Sequence, residues 1–82
     1  MGGNVVNHSE VFIIPLNAIR ITQKRKFSQD EWDQHEWEYL RSGMAESDIV
    51  LDENNNLIDG YIWYLIAKHF ELTAIPARYA HT

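Results

Sequence analysis

The chain has 82 residues, a hydrophobic fraction of 45% and a formal net charge of −5, which fits one small globular domain and excludes both a second core and a disordered chain. It holds no cysteine, which rules out disulfide staples, thiolate catalysis and cysteine-ligated metal. No apolar run reaches the roughly 18 residues of a membrane span, the opening MGGNVVNHSE lacks a signal-peptide pattern, and net acidity opposes general adhesion to DNA; the expectation is a cytoplasmic protein without membrane association.

The first element is VFII, Val11 to Ile14, a β-branched and aromatic run that ends at Pro15 and reads as a buried strand. PLNAI then suits one turn of helix or a tight bend, with proline where its fixed φ fits. RIT, 20–22, is a second short extended piece. Ser28 followed by Glu31 forms an S-x-x-E capping box and starts a helix. Phe27 and Trp32 are spaced for a hydrophobic staple across that start, and Asp30 and Glu31 complement the helix dipole. The helix runs to Leu40 or Arg41, and Gly43 ends it. On a helical wheel Trp32, Tyr39, Leu40 and Met44 share one broad apolar side. Trp37 lies at its margin and Glu36 in its middle.

DIVLD, 48–52, is the next strand, ENNN is a turn in which asparagine tolerates left-handed backbone, and LID, 57–59, is the return strand of a hairpin. Asp59 is placed to cap a second helix from Gly60 or Tyr61 to about Phe70. Its apolar arc is Ile62, Trp63, Leu65, Ile66 and Phe70, with Tyr64, Lys68 and Glu71 facing away. IPARYA, 75–80, is the last strand. The sequence therefore predicts an α+β fold, a small mixed β-sheet with two main helices, over the single domain 1–82.

Four of the seven basic residues, Arg20, Lys24, Arg25 and Lys26, fall within RITQKRK, so charge is segregated. The 24–26 cluster is either a solvated loop guarding a strand edge or a phosphate-contacting lip. Glu36 reads first as a carboxylate with a packed stem, and second as a general acid or base. His8, His35, His69 and His81 show no zinc-binding spacing. Trp37, off the main stripe, is the aromatic best placed for a protein interface or homodimer contact.

The order of elements, with the strings IIPLNAI, TQKRKF, IVLDENNNLIDGYIWYLIAKHFEL and IPARY, resembles the ParB N-terminal-like domain, a fold shared with sulfiredoxin. The likeness runs from about Val11 to Tyr79, and Ile49 to Leu72 is its most specific block. The resemblance implies a turn before the second helix that handles phosphate, where a glycine lets an anion approach backbone amides at a helix N-terminus. Position by position, Gly60 matches that glycine, Asp59 the acidic residue before it, and Tyr64 the aromatic after the family's arginine. Trp63 stands in the place of that arginine, so a bidentate phosphate contact is replaced by one indole N–H.

By resemblance the ligand is CTP or ATP, or the phosphates of DNA. The site would comprise Lys24, Arg25, Lys26, Asp59, Gly60 and Tyr61, with Arg25 offsetting the missing arginine. The absence of cysteine removes sulfiredoxin chemistry, and the chain stops short of the DNA-binding and dimerisation regions of full-length partition proteins, so a CTP-gated DNA clamp is not expected. No P-loop and no convergent acids are present, so the expectation is a binding domain rather than an enzyme. The alternative is an interaction module or homodimer in which Trp63 fills a disused cleft.

Overall fold

The computed structural model describes residues 11–44 and 48–80. Strand β1, Phe12–Pro15, ends on a proline that has no N–H to offer a ladder, and Pro15 then precedes a 3-10 turn, Leu16–Ala18. The 20–22 stretch is not a strand. Arg20 makes a single parallel bridge to Asn56, donating to the Asn55 carbonyl at 2.8 Å and accepting from the Leu57 amide at 2.9 Å. The TQKRK that follows has no apolar side chain to hold it against the sheet.

Helix α1, Gln29–Ser42, begins as its sequence dictates. The Ser28 hydroxyl accepts from the Glu31 amide at 3.1 Å, and the Glu31 carboxylate accepts from the Ser28 amide at 3.2 Å. Phe27 stacks with Trp32 at 6.1 Å between ring centroids, which completes the staple. Gly43, at φ 77°, closes the helix through its amide bond to the Tyr39 carbonyl.

Leu40 departs from expectation: it is 67% exposed. Besides Glu31 in the capped first turn, the half-buried positions of the helix are Trp32, His35, Glu36 and Tyr39, a narrow i, i+3, i+4, i+7 seam. Leu40, about 100° further round the helix than Tyr39, falls outside it.

Strands β2, Val50–Leu51, and β3, Leu57–Asp59, form an antiparallel hairpin with a register shift between Val50 and Leu51. The Asp52 carboxylate organises its turn, accepting from the Asn54 amide (2.8 Å), the Asn56 amide (2.9 Å) and the Asn56 side chain (2.9 Å). Asn55 takes the left-handed conformation at φ 67°. Helix α2, Tyr61–His69, starts at Gly60 and not at Asp59. Asp59 pairs with Val50 in the ladder, so the backbone turns one residue later, and the expected aspartate cap is absent.

The C-terminus of α2 is a Schellman closure. The Leu72 amide donates to the Ala67 carbonyl at 2.9 Å and the Glu71 amide to that of Lys68 at 3.1 Å. Glu71 holds the left-handed position at φ 59° that glycine usually fills. Strand β4, Ala74–Tyr79, follows.

The sheet order is β1-β4-β2-β3, with β4 antiparallel to β1 and parallel to β2, an α+β architecture with a mixed sheet. Ile14, Ile19, Ile49, Leu51, Leu57, Ile75 and Ala77 form the buried core with Ala67 of α2. Ile62 and Ile66 of α2 are buried as well. Tyr64, expected to face away, packs partly against this core, because the nine-residue α2 is flanked by both the sheet core and the 3-10 turn. Ile13 and Ile58, alternating with buried Ile14 and Leu57, are exposed.

Helix α1 carries no buried residue and rests on α2 through rings. Trp32 meets His69 at 5.7 Å, His35 meets Trp63 at 4.9 Å, and Tyr39 stacks on Phe70 at 4.7 Å. Among the described residues, no helix is long and apolar enough to cross a membrane.

Candidate functional site

The capping box of α1 reaches beyond its helix. While one Glu31 oxygen accepts from the Ser28 amide, the other accepts from Arg25 Nη2 at 3.2 Å, and Arg25 Nη1 donates to the Lys26 carbonyl at 3.3 Å. The N-terminus of α1 thereby fixes the basic loop, which has no regular structure of its own. The Ser28 amide first, and Arg25 second, hold the Glu31 carboxyl below its ordinary value.

That loop forms one wall of a cleft of about 290 Å³. Gln23, Lys24 and Arg25 stand on one side, and β3 with Gly60 and Tyr61 on the other. The structure thus brings Lys24, Arg25, Asp59, Gly60 and Tyr61 together. Lys26 is not among the lining residues; it contributes the carbonyl that steadies Arg25. Tyr61 presents an aromatic wall and is itself set edge-on to Phe27 at 6.4 Å.

A smaller chamber of about 190 Å³ adjoins the cleft and shares Arg25, Asp59, Gly60 and Tyr61 with it, adding His35, Asp48 and Trp63. Trp63 is half-buried against the core and the His35 ring. It lines this chamber and leaves the larger cleft open. His35 Nδ1 lies 2.7 Å from the Glu31 carbonyl, which can only accept, so Nδ1 carries the proton of that bond.

Gly60 has a local reason to be glycine. At φ 102° it adopts a conformation that L side chains rarely take, and a Cβ there would run into the backbone carbonyl of Asp48 and approach Ile49 Cδ1 at 3.1 Å. The chain just before β2 therefore packs against the start of α2, and glycine permits that contact. The first intrahelical bond runs from the Tyr64 amide to the Gly60 carbonyl, so the amides of Tyr61, Ile62 and Trp63 have no carbonyl within the helix.

The cleft is electrically mixed. Lys24 and Arg25 contribute positive charge and Asp59 negative, and Arg25 is already bonded to Glu31. A guanidinium has five donors, so Arg25 retains capacity beyond the bonds to Glu31 and Lys26.

Glu36 and His69 approach at 3.9 Å on the α1–α2 seam, away from this cleft. His8 and His81 lie outside the described residues. Among the described residues, no three histidine or acidic side chains are grouped to hold a metal ion. Trp37 is 57% exposed on the outer face of α1, under the Arg41 guanidinium at 4.8 Å.

Sequence reasoning did not mark Gln23, His35 or Asp48 as lining residues, nor Glu31 as the tether of Arg25. The i, i+4 relation of Glu31 and His35 and the S-x-x-E box were the available signals. No protein-family model matches the chain and no curated protein matches it.

Proposed function

We propose that the chain is a ParB-like domain of the ParB/sulfiredoxin type that works in the cytoplasm as a non-catalytic binder of a nucleotide, CTP or ATP. The observation that supports this reading is the convergence of Lys24 and Arg25 on the Gly60 turn at the N-terminus of α2, within one cleft. Cations and a helix N-terminus both favour a phosphate. The volume, near the roughly 300 Å³ lower bound of small-molecule sites, suits a mononucleotide better than a duplex. Tyr61 supplies a surface on which a base can stack. Arg25, which lines both chambers, supplies the guanidinium that the resemblance places at Trp63. The process served, by the same resemblance, is one related to plasmids, phages or the chromosome.

The test is an amide NMR titration with CTP, ATP and a short DNA duplex, with and without magnesium. Saturable shifts at Lys24, Arg25, Gly60 and Tyr61 with a nucleotide are expected, weakened about fivefold or more in Arg25→Ala. No shifts at millimolar nucleotide refute the reading. Saturation with duplex alone, weakening steeply with salt, moves the phosphate from nucleotide to nucleic acid.

A further inference from the structure

The outer face of α1 is an unusual surface for a helix that buries nothing of its own. Trp37 and Leu40 are 57% and 67% exposed, and with Asp33 and Arg41 they occupy i, i+4, i+7 and i+8 of one stripe. Asp30, Glu31, Asp33, Glu36 and Glu38 precede Arg41, the single Lys or Arg of the helix. The stripe is acidic at its start, aromatic at its centre and cationic at its end.

We infer that this stripe is the contact surface for a second copy of the chain, packed antiparallel across a two-fold axis at Trp37. In such a pair residue 37 faces residue 37 of the copy. Asp33 and Arg41, each four residues and so about 6 Å from the axis, face one another. Two Asp33–Arg41 pairs then flank two indole rings, and the helix dipoles run in opposite directions.

The Arg41 guanidinium already lies 4.8 Å from the Trp37 ring centroid, so the cation is held where the copy's Asp33 arrives. Asp33 is steadied in turn by a 2.8 Å bond from Gln29. This self-complementarity of charge singles out a second copy among possible partners. A 14-residue helix, about 21 Å long, covers less than the roughly 800 Å² per partner of a stable interface. The dimer is therefore weak and concentration-dependent.

The experiment is sedimentation equilibrium without nucleotide, from micromolar to millimolar protein, which separates this inference from the cleft. The wild type is expected to show a reversible monomer–dimer equilibrium. Trp37→Ala should raise the dissociation constant about tenfold or more. Arg41→Asp and Asp33→Arg should each raise it about threefold or more, and the combined charge swap should return it to within about threefold of wild type. All three substituted positions are exposed, and unchanged circular dichroism confirms that each variant folds. A monomer at all concentrations overturns the inference, as does a dimer indifferent to Trp37→Ala or one that the charge swap fails to restore.

Discussion

Replacing Gly60 tests why the chain has a glycine between β3 and α2. Alanine at φ 102° is forced into left-handed backbone, which costs about 1–2 kcal/mol. Its Cβ also meets the Asp48 carbonyl and Ile49 Cδ1, and such overpacking adds about 1–3 kcal/mol. The total, about 2–5 kcal/mol, is a large share of the roughly 4–12 kcal/mol expected for a domain of this length. At about 4–8 °C per kcal/mol, Gly60→Ala should lower the melting temperature by about 8–40 °C in a thermal unfolding experiment followed by circular dichroism. Gly60→Asn separates the two causes, because asparagine tolerates positive φ but carries the same Cβ. Both variants are expected to be severely destabilised. A Gly60→Asn variant within about 0.5 kcal/mol of wild type would refute the close approach of the Asp48 backbone and leave backbone strain as the sole reason for glycine.

Ile66 of α2 is fully buried, and Ile66→Ala should cost about 2–5 kcal/mol by chemical denaturation with an unchanged slope. Glu71 occupies a left-handed C′ position, so Glu71→Gly should stabilise by up to about 1 kcal/mol; a loss of stability would show that its side chain does more than close the helix. The carboxyls of Glu31 and Asp52 are held below their ordinary 4.5 and 3.8, Glu31 mainly by the Ser28 amide and Asp52 mainly by the Asn56 side chain. A depressed folded value means stability that is complete above the ordinary value and lost as pH falls through the depressed one. The melting temperature should therefore fall from roughly pH 5 to pH 2, with a shallower slope in a Glu31→Gln, Asp52→Asn double variant; an unaltered slope would reject the assignment.

Local chemistry was legible in the sequence wherever it was dictated over three or four residues. The Ser28–Glu31 box, the Phe27–Trp32 staple, the 3-10 turn after Pro15 and the left-handed asparagine in the hairpin all follow from side chains near one another in the chain. What escaped depended on distant partners. Asp59 has the composition of an N-cap, but its ladder pairing with Val50 moved the cap to Gly60. Leu40 looks apolar on a wheel, yet the seam against α2 is narrow and leaves it in solvent. The basic loop was placed opposite Gly60 by resemblance. Its tether through Glu31 was not foreseen, because a capping residue has a second carboxylate oxygen whose partner the sequence does not name.

The shared use of Glu31 ties the cleft to local unfolding. Helix α1 buries no side chain and leans on α2 through ring contacts, so it belongs at the low end of the molecule's range of opening free energies. When α1 frays from its N-terminus, the Ser28 cap and the Arg25 anchor are lost in one event. A ligand gripping Arg25 across the cleft would then protect α1 amides from hydrogen exchange by mass action, without touching the helix itself.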